Sequence, residues 1–136
     1  GELAGDANVH AITDVTGFGL LGHALELARG SKLTVTLKAG EVPLFTQAAR
    51  LAQQGHITGA STRNWASYGD AIRLPEGLPD WQRNLLVDPQ TSGGLLISCA
   101  ATEAPAILET IKRAGYDAAR IVGRTEAGPP RVRVMG

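Results

Sequence analysis

The segment Val9–Ala28 constrains the fold most, because a strand pattern passes through closely spaced glycines directly into a helix pattern. Val9–Asp14 has the character of a short strand that ends in polar residues. Thr16 is suited to cap a helix over 17–28, and Gly30 is suited to end it. Strand and helix patterns then mix along the whole chain. This predicts an α/β or α+β fold in which helices cover a mixed sheet of four or slightly more strands, with some likeness to ferredoxin-like folds.

The middle of the chain predicts one strand, one helix and a long loop. Leu33–Lys38 alternates between apolar and polar residues, as a half-buried strand does. A helix is expected from Pro43, with Phe45 and Leu51 on its apolar face. Residues 56–77 contain many turn formers and are predicted to be mostly loop.

The last third of the chain predicts two helices and at least two strands. A short helix is expected over Trp81–Leu86. The continuous apolar run Leu95–Cys99 is typical of a central strand buried on both faces. Thr102 is suited to cap a helix that ends near Gly115. In Arg131–Met135 arginines alternate with apolar residues, which predicts an edge strand.

Composition limits the number of domains and the classes of partner. A chain of 136 residues is expected to form one domain. Thirteen basic residues balance thirteen acidic ones and aromatic residues make up only 4%, so neither nucleic acid nor a membrane is expected as a partner. The single cysteine, Cys99, allows no internal disulfide, which favours a cytoplasmic location. The chain does not begin with methionine, and we expect it to be a piece of a longer protein.

Gly17, Gly19 and Gly22 have the G-x-G-x-x-G spacing of a dinucleotide-binding turn, and Glu41 follows where a ribose-binding acid would be expected. The spacing is weak evidence, because a chain with 17 glycines contains it by chance. The context also disagrees, since Asp14 would place a negative charge beside the pyrophosphate and no second mononucleotide-binding half follows. A dinucleotide-binding domain, which would bind NADH, is therefore the weakest hypothesis.

Asp14 stands at the carboxyl end of a predicted strand, directly before the glycine-rich helix start. A carboxylate in that position suits Mg²⁺, which binds oxygen ligands and usually keeps waters and substrate phosphates as its other ligands. Free backbone N–H groups at 17–19 would face an anion at the same place. From spacing alone, an aspartate that only caps a helix or forms a turn explains the pattern equally well.

A second candidate loop is DPQTSGG at 88–94, which is followed at once by the apolar LLI. Its Thr-Ser-Gly-Gly run offers hydroxyl and backbone N–H groups that suit an anion. A tight structural loop, with glycines at positive φ and Thr91 or Ser92 as a cap, is an equally good explanation. Arg63 and Asn64 leave a similar choice, between phosphate contacts and hydrogen bonds that hold a loop.

The histidines and the cysteine carry little functional information. His10, His23 and His56 are not spaced as a metal-binding set, so each is expected to pack in the core or lie on the surface. Cys99 lies in an apolar strand, without a neighbouring cation that would lower the pKa of its thiol, and is expected to be unreactive.

Three segments together resemble the C-terminal domain of the selenophosphate synthetase family, whose members are also called selenide, water dikinases. They are TDVTGFGLLGH at 13–23, STRN at 61–64 and LLVDPQTSGGLLIS at 85–98, in the order and spacing of that family. The resemblance covers nearly the whole chain and extends to the wider superfamily of aminoimidazole ribonucleotide synthetase. One departure is the segment GAST at 59–62, where the family more often has Gly-Gly-Thr.

The resemblance implies ATP-dependent synthesis of selenophosphate, AMP and phosphate from selenide, ATP and water, with Mg²⁺ as the metal. Asp14 would be a metal ligand. The walls of the ATP and phosphate cleft would include Thr16, Gly17, Gly19, Thr91, Ser92, Gly93 and Gly94.

The resemblance also implies that residues 1–136 form the C-terminal domain of a two-domain synthetase whose N-terminal ATP-binding domain is absent from this chain. The family's reactive cysteine or selenocysteine lies in that N-terminal domain, so no catalytic residue is expected here and Cys99 does not take that role. The isolated chain should be inactive, and the full-length protein should be a homodimer. Two alternatives stay open: another ATP-using enzyme of the superfamily, or a regulatory module without catalysis.

Overall fold

The computed structural model describes residues 2–136 and has a mixed α/β fold, as predicted. The strands are Val9–Asp14 (β1), Thr34–Lys38 (β2), Ile72–Arg73 (β3), Leu95–Cys99 (β4), Gly123–Glu126 (β5) and Val132–Met135 (β6). The α-helices are Gly19–Ser31 (α1), Thr46–Gln53 (α2), Gly59–Tyr68 (α3), Asp80–Leu86 (α4) and Ala104–Arg113 (α5). The described residues contain no helix that is long and apolar enough to cross a membrane.

A four-stranded mixed sheet in the order β3-β6-β2-β5 forms one side of the core. Strand β6 runs parallel to both β2 and β3, and β5 runs antiparallel to β2. Helix α1 supplies the other side, because its fully buried residues Leu21, Ala24 and Ala28 join Val35 and Val132 in one apolar cluster. Burial of this face is the main stabilising contribution to the fold.

The prediction that β2 is half-buried is wrong, because Thr34 and Thr36 are buried as well as the apolar residues of the strand. Thr34 Oγ1 donates a hydrogen bond to the carbonyl oxygen of Pro129 at 2.7 Å. Thr36 Oγ1 donates to Glu126 Oε1 at 2.5 Å. A hydroxyl with a hydrogen-bond partner can be buried at low cost, so alternation did not indicate a solvent-exposed face here.

Strand β6 is not the edge strand predicted from its arginines, because it lies between β2 and β3. Its alternation is real, since Val132 and Val134 are buried whereas Arg133 is exposed. Alternation shows that one face of a strand is covered, but it carries no information about neighbours on either side. The position of β6 depends on pairing with residues about 60 and 100 positions earlier in the chain.

Strands β1 and β4 form a separate two-stranded antiparallel ribbon, in which Asp14 pairs with Leu95 and Ile12 pairs with Ile97. The prediction that β4 is a central strand buried on both faces is therefore wrong, and Leu95 is 63% exposed. The ribbon places the end of β1 directly beside the loop that precedes β4. That relationship positions the candidate site.

Several predicted helix boundaries also need correction. Helix α1 begins at Gly19, and no side chain caps it at Phe18, so Thr16 is not its N-cap. Helix α1 also ends after Gly30, at Ser31. At α5 the N-cap position is Glu103, again without a side-chain hydrogen bond, so Thr102 is not a cap.

The region 56–77 is not mostly loop, because it contains α3, and Thr58 Oγ1 caps this helix by accepting from Ser61 N at 3.0 Å. Helix α2 begins at Thr46, later than its expected start at Pro43. Its expected apolar face is only partly covered, because Ala52 is buried and Ala48 is half-buried, whereas Phe45 is 84% exposed and Leu51 is 42% exposed.

Candidate functional site

The two loops singled out from the sequence lie side by side and are joined through their backbones. Val15 N donates to the carbonyl oxygen of Gly94 at 2.9 Å, which continues the β1–β4 ladder by one residue. Gln90 N donates to the carbonyl oxygen of Thr16 at 3.0 Å. These bonds fix the segment after β1 against the segment before β4, so the predicted residues of both loops belong to one surface.

Two glycines allow this close approach. A Cβ atom on Gly93 would lie 1.9 Å from the carbonyl oxygen of Val15. A Cβ atom on Gly19 would lie 2.5 Å from the carbonyl carbon of Val87, and Gly19 also has a φ of +71°. No side chain fits at either position without a shift of backbone. Gly17 and Gly94 differ from them, since a Cβ there would meet no atom within 4 Å.

Helix α3 holds both loops through two polar side chains. Asn64 Nδ2 donates to the carbonyl oxygens of Gly17 at 3.0 Å and Val87 at 2.9 Å. The hydroxyl of Tyr68 donates to the carbonyl oxygen of Phe18. Burial raises the pKa of Tyr68 to about 12, although a hydrogen bond with the backbone of Gly22 acts in the opposite direction. Asn64 therefore uses its amide donors to hold loops, which was one of its two predicted roles.

The first residue of the second loop, Asp88, is anchored on the N-terminal turn of α3. Its Oδ1 accepts hydrogen bonds from Ser61 Oγ at 2.6 Å and from Thr58 Oγ1 at 2.8 Å. Ser61 is almost completely buried, at 1% exposure. The three segments that carried the family resemblance thus meet at this corner: the β1–α1 turn, the start of α3 and the loop before β4.

The predicted ligand-binding residues surround this corner on its exposed side. Asp14 is exposed at the end of β1. Thr16 and Gly17 follow it on the first loop, residues 91–94 of the second loop lie beside Val15 through the Val15–Gly94 hydrogen bond, and all of these residues except Val15 are exposed. Gly19 is the exception, because it is buried against Val87.

Asp14 brings a single carboxylate to the site. In residues 2–136 no group of three or more His, Cys, Asp or Glu side chains is arranged to hold a metal ion. The absence of a side-chain cap on α1 also removes helix capping as an explanation for Asp14. An exposed carboxylate beside a turn of glycines remains suited to a hard cation that takes its other ligands from elsewhere.

His23 is a feature of the site that the sequence analysis missed. It is buried, with Nε2 3.2 Å from Thr16 Oγ1 and Nδ1 3.2 Å from Glu26 Oε2. The ring of Phe18 lies 5.8 Å from its ring centroid. A spacing of three from His23 to Glu26 on one helix was the available signal, because such residues are neighbours on the helix surface.

The architecture also argues against a dinucleotide-binding turn. In that turn the glycines follow a strand of a parallel sheet and receive the pyrophosphate. Here β1 is paired with an antiparallel strand, β4. The space beside Gly19 and Gly22 is occupied by the protein itself. A Cβ on Gly19 would meet Val87, and a Cβ on Gly22 would lie 2.5 Å from Phe18 Cβ and 3.0 Å from the ring of Tyr68.

Residues 1–135 match the family described as AIR synthase related protein, C-terminal domain. The chain is 58% identical over 134 residues to the selenide, water dikinase of Rhizobium meliloti (strain 1021), an alignment that covers 98% of this chain and 38% of that protein. It is 51% identical over 133 residues to the selenide, water dikinase of Pseudomonas straminea, with 98% and 37% covered.

A thiamine-monophosphate kinase from Stenotrophomonas maltophilia K279a has the same fold, with a TM-score of 0.60 at 21% identity, over 96% of this chain and 32% of that one. The chain therefore spans well under half the length of the relatives that it matches. The relatives confirm the resemblance to selenide, water dikinases predicted from three segments. The chain belongs to the family of AIR synthase related proteins and represents its C-terminal domain.

Proposed function

We propose that this chain is the C-terminal domain of an ATP-dependent selenophosphate synthetase, which makes selenophosphate, AMP and phosphate from selenide, ATP and water. The similarity to selenide, water dikinases over 98% of the chain supports the reaction. The observation that carries the proposal is the corner at which Asp14 lies exposed beside two loops joined by hydrogen bonds from Val15 N and Gln90 N.

Asp14 is the residue of this chain that would hold Mg²⁺. Its carboxylate is exposed, belongs to the ligand type that Mg²⁺ prefers, and lies near Gly17 and Gly94, where a Cβ would meet no atom within 4 Å. When bound, the metal would neutralise charge on the transferring phosphoryl groups. Because one carboxylate does not complete a magnesium site, the remaining ligands would be phosphate oxygens and groups of another domain.

The loops on either side of Asp14 would line the cleft that holds the phosphates. Thr91 and Ser92 offer exposed hydroxyl donors, and Gly93 and Gly94 present backbone without a side chain. On the opposite side, Thr16, Gly17 and Gly19 would form the adjacent wall. Asn64 and Tyr68 lie behind these loops and would keep the wall rigid, since they hold the carbonyl oxygens of 17, 18 and 87.

The rest of the active site would come from the part of the longer protein that this chain does not include. The chain covers 38% of its relative from Rhizobium meliloti. We propose an N-terminal ATP-binding domain as the partner that completes the cleft, in a cytoplasmic homodimer. On this proposal the 136-residue chain alone does not catalyse the reaction.

Asp14→Asn in the full-length enzyme tests the proposal, with Asp117→Asn, at an exposed turn, as the matched control. Enzyme, ATP, Mg²⁺ and selenide are incubated anaerobically, and selenophosphate is followed by phosphorus NMR. The wild type and the control variant should give a selenide-dependent product, whereas Asp14→Asn should lose at least about a hundredfold in turnover. Normal turnover of Asp14→Asn would remove Asp14 from the site. ATP binding by the wild type without selenophosphate would instead point to another acceptor substrate within the superfamily.

A further inference from the structure

Three side chains form a hydrogen-bonded series in which buried His23 links exposed Thr16 to exposed Glu26. His23 occupies the middle, with its side chain 8% exposed. Its Nε2 lies 3.2 Å from Thr16 Oγ1, and its Nδ1 lies 3.2 Å from Glu26 Oε2. The two partners differ in chemistry, because a carboxylate only accepts hydrogen bonds whereas a hydroxyl can donate or accept.

Glu26 determines which nitrogen of His23 carries the proton. If Nδ1 were bare, its lone pair would face the carboxylate oxygen, so the proton of the neutral imidazole belongs on Nδ1. Nε2 is then an acceptor, and Thr16 must donate its hydroxyl proton to it. Thr16 has no second proton, so its oxygen turns only lone pairs towards the cleft.

The backbone of Thr16 is held as firmly as its side chain. Its carbonyl oxygen accepts from Gly19 N at 3.1 Å and from Gln90 N at 3.0 Å. Thr16 itself is exposed. A fixed hydroxyl that only accepts would repel a phosphate oxygen, but it is suited to accept a hydrogen bond from water.

We propose that Thr16 positions a water molecule in the cleft, and that His23 and Glu26 are positioning residues that keep its hydroxyl in the accepting orientation. The inference rests on the proposed function, in which water is a substrate. By the balance of that reaction, two phosphoanhydride bonds break, one phosphoryl group passes to selenide and the other to water. The oriented water would be the one that receives a phosphoryl group.

Thr16→Val and Thr16→Ser in the full-length enzyme form a matched pair, because the first removes the hydroxyl at similar volume and the second keeps it. Water is present at saturating concentration, so a lost water contact should lower kcat and leave the KM for ATP unchanged. Thr16→Val should lose about tenfold in kcat, as expected for one neutral hydrogen bond, and Thr16→Ser should stay within about threefold of the wild type. A KM for ATP that rises in Thr16→Val as much as kcat falls would show that the hydroxyl contacts the nucleotide, which overturns the proposal.

Nitrogen NMR of ¹⁵N-histidine enzyme at pH 8.5 reads the tautomer directly, with the His23 signal assigned by its loss in His23→Gln. The proton is expected on Nδ1 in the wild type and in Glu26→Gln, because the glutamine amide oxygen still accepts a hydrogen bond. In Glu26→Leu the Nδ1 tautomer should no longer predominate. A proton on Nε2 in the wild type would overturn the proposal. This readout does not depend on turnover, so a correct tautomer in an enzyme that makes no selenophosphate would contradict the proposed function and leave the geometry of Thr16 intact.

Discussion

Gly93 lies directly against Val15: a Cβ on Gly93 would be 1.9 Å from the Val15 carbonyl oxygen and 2.8 Å from Gln90 Cβ. The amide of Val15 meanwhile donates to Gly94 at 2.9 Å. The separation of the two candidate loops is therefore set by the lack of a side chain at one residue. The neighbouring glycine, Gly94, is in open space.

Gly93→Ala should force the two loops apart. We expect its free energy of unfolding to fall by about 2 kcal/mol, the usual cost of overpacking, and turnover of the full-length enzyme to fall with it. Gly94→Ala is the control, because its Cβ meets no atom within 4 Å, and it should change stability by no more than about 0.5 kcal/mol. Urea denaturation measures both. Equal losses of stability in the two variants would mean that the close contact between Gly93 and Val15 does not set the separation of the loops.

The three glycines of the G-x-G-x-x-G spacing should respond differently to alanine. Gly19→Ala combines a φ of +71° with a Cβ 2.5 Å from Val87, and should lower the free energy of unfolding by more than about 2 kcal/mol. Gly22→Ala meets Phe18 and Tyr68 and should also be destabilising. Gly17→Ala should leave stability within about 0.5 kcal/mol of the wild type, because the space there is open. Thermal unfolding of the three variants would show which glycines are needed for packing. A large loss of stability in Gly17→Ala would contradict the open space at that residue.

The sequence was sufficient to predict elements whose signal is local. Strand β1 and its end at Asp14 were predicted within their observed bounds, as was β4 at Leu95–Cys99. Both have short apolar stretches next to turn-forming residues, so their ends can be read from neighbouring residues in the sequence. The candidate loops followed from the same signal, since glycine and proline interrupt the strands at the site.

Helix α3 could not be found in this way, because polar side chains share the side of it that faces the protein. Ser61 and Asn64 contact Asp88 and backbone carbonyl oxygens, whereas Trp65 and Tyr68 pack against the apolar core. Periodicity of apolar residues is the usual helix signal, and here hydrogen-bonding residues take its place. The interior position of β6 was missed for another reason, namely that pairing partners distant in sequence leave no local pattern.

Asn64→Asp tests whether α3 holds the two loops together. A carboxylate cannot donate, so the carbonyl oxygens of Gly17 and Val87 would lose their partner and face a negative charge. We expect a loss of about 3 kcal/mol in the free energy of unfolding. Thr62→Ala, on the exposed side of the same helix, should have almost no effect. If chemical denaturation gives the same midpoint for both variants, the two bonds of Asn64 are not structural.

Tyr68 should titrate near pH 12 because it is partly buried. The chain has two tyrosines, and Tyr116→Phe leaves Tyr68 as the only one, so its ionisation can be followed by absorbance at 295 nm. A pKa raised by folding gives a contribution to stability that is complete below about pH 10 and is lost as pH rises towards 12. In this background, Tyr68→Phe should remove that alkaline loss. Titration of Tyr68 near pH 10 in the folded protein would contradict its burial beside Phe18.

The bond from Thr36 to Glu126 should control how the sheet responds to acid. The pKa of Glu126 is lowered first by the hydrogen bond from Thr36; burial acts in the opposite direction, and the charges of Arg124 and Arg133 lower the pKa further. A lowered pKa stabilises the fold above the ordinary pKa of a glutamate, and this contribution is lost as pH falls through the value in the folded protein. In Thr36→Val the pKa of Glu126 should rise, and the stability difference from the wild type should narrow from pH 7 to pH 3.

Thr36→Ser keeps the donor and serves as the control for that titration. Carbon NMR of the Glu126 carboxyl gives the pKa in each variant, and denaturation at pH 7 and pH 3 gives the stability difference. A protonated carboxyl group still accepts through its carbonyl oxygen, but the bond from Thr36 then lacks charge assistance and stabilises the fold less. A pKa of Glu126 that is the same in Thr36→Val and Thr36→Ser would assign the shift to the two arginines instead.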